Sequence, residues 1–352
     1  MKSDLPRVPV VDAIKALASQ LIVWHHLAFY GPMSDAVYAY APGLFDWLYE
    51  YARMAVQAFL AVGGFLAARS LAPCLEPVQI DAPRLIWKRY VRLTRPYLAA
   101  LAAAIACAAA ARTLIHYPSF PEAPTLAQVL AHVFLLQDIV GQPSLSAGVW
   151  YVAIDFHLYV LLLLLLRSSQ WISAMSGTRA SLLAVGVVAC VASASLFWFN
   201  RNPDLDIYAP YFFGAYGLGV MAQWISTAPR KLRWTCLLAL LIAAALLLHW
   251  RSRILVAGVT AVVIASSAGY SPRWACSALV TWLGRISYSV FLIHYPVFLV
   301  VSAVVFRFWP ANHTANGIGL FATWLLSLAA GTLTYETVER RPWGRPGAIN
   351  RG

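Results

Sequence analysis

Polar positions are sparse along this chain. The apolar stretches between them recur at lengths of about 20 residues, which is what a helix needs to cross the hydrocarbon core of a bilayer. Such runs fall at residues 11–30, 47–71, 97–115, 147–166, 180–199, 207–226, 234–250, 254–270, 279–306 and 318–338. The pattern predicts an all-α polytopic membrane protein with ten transmembrane helices. One domain over residues 1–352 is expected, with no soluble domain appended. Residues 126–139 are apolar but short, and read as an interfacial or re-entrant helix. The first run follows Lys2 and Arg7 as a signal peptide would, but it is long and carries Lys15 and two histidines, so a retained first helix is expected.

Composition agrees. Hydrophobic residues make up 61% of the chain and charged residues only 11%, against about 25% charged in an ordinary soluble domain. The net charge of +12 then concerns orientation and membrane-facing loops. No basic run interleaves with exposed aromatics in the way a single-strand binder requires, so nucleic acid is not an expected partner. With ten spans and a cytoplasmic N-terminus, inner segments hold eighteen of the 26 Lys and Arg residues, and the outer loops hold Arg201, Arg251, Arg253 and Arg307. This bias predicts that both termini are cytoplasmic. Five cysteines, at 74, 107, 190, 236 and 276, show neither C-x-x-C nor metal spacing, so packing roles and no metal are expected.

The first run carries charge that a membrane helix should avoid. Lys15 and His26 are eleven residues apart, three helical turns plus about 20°, so they share a face roughly 16 Å apart along the axis. Asp12 and Ser19 lie near the same stripe. Such residues at bilayer depth usually face an interior cavity. Asp155 in the fourth run and Arg53 in the second lie at depths similar to His26. A carboxylate beside His26 would suit a general base, whereas Asp155 paired with Arg53 would be structural. His294 precedes Tyr295-Pro296 in the ninth run, where a kink is expected, and a hydrogen-bonded interior histidine is its plainest role. Glu336 and Glu339 are expected to pair with nearby arginines. Trp87 to Tyr97, WKRYVRLTRPY, concentrates four cations with aromatic residues. That cluster suits a phosphorylated donor such as coenzyme A, or else anionic lipid headgroups.

Several stretches together resemble the acyltransferase-3 family of integral membrane O-acyltransferases. Asp12 to Lys15 followed by ten residues and His26 is similar to its basic-x10-His motif. FLAVGGFL at 59–66 resembles F-F-x-x-S-G-F-L with Gly63 in the serine position. Arg92 to Tyr97, RLTRPY, resembles R-x-x-P-x-Y. WYVAIDFHLY at 150–159 is similar to W-x-L-x-x-E-x-x-F-Y with Asp155 for glutamate. LGRISYSVFLIHYPV at 283–297 resembles L-G-x-I-S-Y-x-x-Y-L-x-H-x-P, and Glu339 to Pro342 resembles an E-R-P ending.

The resemblance implies transfer of an acyl group, usually acetyl, from cytoplasmic acetyl-CoA to a saccharide or glycoconjugate across a bacterial inner membrane. It makes His26 the base, with Asp155 and Lys15 in the catalytic group. Arg89, Arg92, Arg95, Arg285 and Tyr288 become the donor side, and Arg53, His25, Trp150 and His294 the acceptor side. The alternative is a secondary transporter that uses the intramembrane polar residues as a relay.

Overall fold

The computed structural model describes residues 7–75, 81–267, 270 and 272–341. Lys2, Pro342 and the side chain of Cys74, named above, lie outside them. The described residues form thirteen α-helices joined by short turns, with no strand among them. In chain order these are α1 (Pro9–Phe29), α2 (Pro32–Val37), α3 (Pro42–Glu50), α4 (Ala55–Leu71), α5 (Ala82–Leu114), α6 (Leu126–Val133) and α7 (Val149–Ser176). There follow α8 (Ala180–Phe197), α9 (Ala209–Thr227), α10 (Lys231–Leu248), α11 (Ser252–Ser266), α12 (Ala278–Phe308) and α13 (His313–Thr334), which runs into a π-helical turn at Tyr335–Glu339.

Each predicted apolar run falls on a helix, and among the described residues seven helical stretches are long and apolar enough to cross a membrane, short of the ten expected. The physical reasons differ. α1 spends hydropathy on Asp12, Lys15 and two histidines, α9 is diluted by Gly, Tyr and Gln, and α11 has only 15 residues. These three are not interchangeable with the lipid-facing helices. α9 is buried over nearly its whole length, whereas α10 is mostly exposed.

Two close helix approaches set the frame. Side chains on α4 and α9 would collide, because a Cβ at Gly64 would strike the carbonyl of Tyr216 and one at Gly219 would strike that of Ala61. Glycines there let the two backbones touch, as small residues do between membrane helices. On the other side, α12 packs on α1, α5 and α13. Gly284 lies against the backbone of Asp12, and His294 meets His26, so α1 and α12 run parallel.

The connection between α5 and α7 turns back into the bundle. Tyr90 donates to the Val133 carbonyl at 2.7 Å, yet Tyr90 lies about 36 Å below the far end of α5, given the helical rise. The chain after Leu114 therefore descends beside α5, pinned on the way where Tyr295 donates to the Ser119 carbonyl at 3.1 Å. α6 lies in this descent. It opens with a capping box between Thr125 and Gln128, and Leu126, Leu130 and Phe134 stay exposed. Inside, His132 Nδ1–H donates to the Gln128 carbonyl at 2.7 Å, while Nε2 accepts from the Leu145 amide at 3.2 Å.

Of the cysteines whose side chains are described, Cys107 is part-buried, but Cys190, Cys236 and Cys276 are exposed. Packing is thus not the role of those three. In an apolar surround a thiol is an acceptable surface group.

Candidate functional site

The polar face of α1 ends at a pair of histidines. His26 Nδ1 lies 2.8 Å from Nε2 of His294, and the two rings are parallel within 3°. Hydrogen-bond logic fixes the tautomers. His294 Nδ1 faces the Val290 carbonyl at 3.3 Å, and a carbonyl only accepts, so Nδ1 carries that proton. Nε2 of neutral His294 is then an acceptor, and His26 donates to it through Nδ1–H. The lone pair of His26 is left on Nε2. His294 is fully buried while His26 is half-buried, so the reachable ring is the one with a free base position.

Lys15, at the other end of the same face, has Nζ 3.2 Å from Asp12 Oδ1. It also lines a cavity of about 120 Å³ with Gly63, Arg89, Asp155, Tyr288 and Phe291. Asp155 does not meet His26 or Arg53. Its Oδ2 lies 2.5 Å from Arg89 Nη2, with both side chains nearly out of solvent, and the Arg89 guanidinium rests over the Tyr159 ring at 5.1 Å. This is a buried, cation-capped carboxylate. The absence of a side chain at Gly63 makes room for it, since a Cβ there would lie 2.9 Å from Asp155 Oδ1.

Below this chamber lies a groove of about 380 Å³ lined by Arg84, Trp87, Lys88, Arg92, Arg95 and Glu339, among others. Four cations and an indole on one face make it a fit surface for phosphate groups beside an aromatic base. Its acidic wall is held from inside, because Ser289 donates to Glu339 at 2.6 Å. Glu336 does take an arginine, Arg340, at 2.6 Å. Leu93 and Tyr288 stand between groove and chamber, with the Tyr288 hydroxyl donating to the Leu93 carbonyl at 3.0 Å. Phe291 then stands between the chamber and His294, their rings 6.3 Å apart. Tyr288 to His294 is about 9 Å of helical rise.

The other predicted site residues are dispersed. His25 donates through Nδ1 to the Leu48 carbonyl at 3.0 Å and so ties α3 to α1. Arg53 does lie within a stretch long and apolar enough to cross a membrane, Pro42–Leu71. It occupies the turn Ala52–Met54 between α3 and α4, is exposed, and donates to the Glu50 carbonyl at 3.2 Å. Trp150 packs against Tyr151 and Phe212. Arg285 is exposed and lines neither cavity. Arg95 lines the groove and also donates to the Arg341 carbonyl at 2.9 Å. Tyr151 and Phe291 were not anticipated, yet both line the chamber together with Ser287. The i+4 step from Ser287 to Phe291, beside Tyr288, was the available signal.

A family model described as an acyltransferase domain, that of acyltransferase-3, matches residues 8–335 of the chain. No curated protein and no solved structure matches it.

Proposed function

Because the chain belongs to the acyltransferase-3 family, we propose that it moves an acyl group, acetyl above all, from acyl-CoA to a hydroxyl of a saccharide or glycoconjugate, with His26 as general base. The observation that carries this reading is the tautomer of the histidine pair, which leaves His26 Nε2 unprotonated on the half-buried ring. Nε2 takes the proton of the acceptor hydroxyl as its oxygen attacks the thioester carbonyl. His26 then carries positive charge, which Nδ1–H shares with His294 Nε2. As the carbon–sulfur bond breaks, His26 returns the proton to the departing thiolate. The products are the ester and free thiol, and the ring is restored.

In this reading Arg84, Lys88, Arg92 and Arg95 hold the donor's phosphates, at the cytoplasmic face of a bacterial inner membrane. The pantetheine arm rises past Tyr288 and Phe291, which must swing aside. Lys15 and Arg89 give the chamber a positive lining next to Asp155. The test is incubation of the purified protein with labelled acetyl-CoA and a panel of saccharides. Labelled ester on a saccharide is expected. Transport of a solute with no acylated product would favour the relay reading instead.

A further inference from the structure

Arginine is the exception at the end of the molecule opposite the basic groove, and three of the four arginines assigned there by sequence converge on one corner. Arg201 closes the turn after α8, Arg251 lies between α10 and α11, and Arg253 is in the first turn of α11. Arg251 is only 7% exposed. It donates to Asn200 Oδ1 at 2.9 Å, to the Leu196 carbonyl at 2.8 Å and to the His249 carbonyl at 3.3 Å. Arg253 donates to the Tyr211 hydroxyl and to the Asn200 carbonyl at 2.8 Å, and lies over the Tyr211 ring at 4.9 Å. Arg201 is exposed and, among the described residues, reaches only the Phe197 carbonyl, at 3.5 Å.

Every one of these acceptors is neutral. Among the described residues no carboxylate is within ion-pair distance of the three guanidiniums, although Asp204 and Asp206 are on the same connection. Neutral acceptors satisfy N–H groups but leave charge uncompensated, and a partly buried cluster of one sign is costly until an anion joins it. Burial, followed by the charges of Arg253 and Arg201, accordingly pushes the Arg251 pKa down.

Beside the cluster runs a groove of about 780 Å³. Its rim is Arg201, Asn202 and His249, and its wall descends from Trp198 to Ser193 and Cys190 on α8, a helix within one of the seven membrane-crossing stretches. A cationic and polar rim above an apolar wall at membrane depth matches one ligand shape, a charged head on a hydrocarbon tail. Guanidinium forks favour phosphate oxygens in the head. We propose that this corner binds the phosphate headgroup of a lipid, with Arg201 as the reachable donor and the α8 wall receiving the tail. The site does not depend on the acyl-transfer reading.

Native mass spectrometry of the full-length protein, equilibrated in detergent with dioleoyl phosphatidylglycerol or phosphatidylcholine, tests it. The native chain is expected to retain phosphatidylglycerol selectively, and Arg201→Gln to retain it about tenfold more weakly, the loss of one charge-assisted contact. Lipid held at the basic groove is common to both proteins and cancels in the comparison. Ser193→Phe, which fills the wall and leaves all three arginines in place, should weaken retention as well. Equal retention of the two lipids, retention unchanged in both variants, or displacement of phosphatidylglycerol by equimolar inorganic phosphate would each overturn the proposal.

Discussion

Asp155 and Arg89 are 66 positions apart in sequence and 2.5 Å apart in the fold. That pairing commits the one carboxylate deep in α7 to a guanidinium on α5, away from His26. His26, the proposed base, is held instead by another histidine, His294.

Removing one member of the buried pair should be far worse than removing both. Asp155→Asn leaves the Arg89 charge unmatched and should cost about 3–5 kcal/mol. The double change Asp155→Leu with Arg89→Met should recover most of the loss. Thermal unfolding in detergent measures this. A double variant no more stable than the single one would show that the two side chains do not compensate each other.

His294 should matter through the tautomer it imposes. His294→Leu takes away the acceptor for His26 Nδ1–H and should lower the transfer rate about 100-fold or more, within the usual range for general-base catalysis. His294→Gln offers an amide oxygen in its place and should stay within about tenfold of the native rate. Equal losses in the two variants, at unchanged unfolding temperature, would separate His294 from the base.

Gly63 should resist even a small side chain. A Cβ there sits 2.9 Å from Asp155 Oδ1 and 3.3 Å from the Tyr216 ring, and Arg89 holds the carboxylate in place. Gly63→Ser should therefore cost about 1–3 kcal/mol, and Gly63→Val should also raise KM for the donor by narrowing the chamber. Unchanged unfolding temperature for Gly63→Ser would mean that Asp155 has room to move.

Much of this architecture was legible in the sequence, and the losses follow a pattern. Helical periodicity placed Lys15 and His26 on one face, and hydropathy located the helices and the short descending segment around α6. Periodicity describes one helix at a time, however. The partners of Asp155 and His26 come from α5 and α12, at sequence separations of 66 and 268, and no local pattern encodes them. The setting of Arg53 was hidden for a related reason. A hydropathy window averages over the break between α3 and α4, so the exposed turn that holds Arg53 inside the stretch Pro42–Leu71 left no trace in it. Gly63 stood out as a departure from a motif, but only the packing shows that its missing side chain accommodates Asp155.

The descending segment should loosen in acid. Burial lowers the pKa of His132, opposed by its bond to the Gln128 carbonyl and by Asp138. Its ring accepts at Nε2 from the Leu145 amide, a bond the protonated ring cannot make. With the folded pKa below the unfolded value of 6.5, the unfolded segment binds more protons across that interval. The stability His132 contributes is present above 6.5 and lost as pH falls below it. Asp138, whose pKa burial raises, works in the opposite sense and favours the fold on acidification. Hydrogen exchange over 126–148 should quicken between pH 7.5 and 5.5, after correction for intrinsic exchange rates. His132→Gln should flatten that response, and an unchanged response would assign the pH dependence elsewhere.

The most direct test is the initial rate of label transfer from acetyl-CoA to a saccharide acceptor by His26→Ala, with binding of the donor and unfolding temperature measured alongside. The account predicts that transfer falls to background while the donor still binds and the protein still folds. Transfer at a substantial fraction of the native rate would contradict it, because the proton would then be leaving the hydroxyl without the imidazole at position 26.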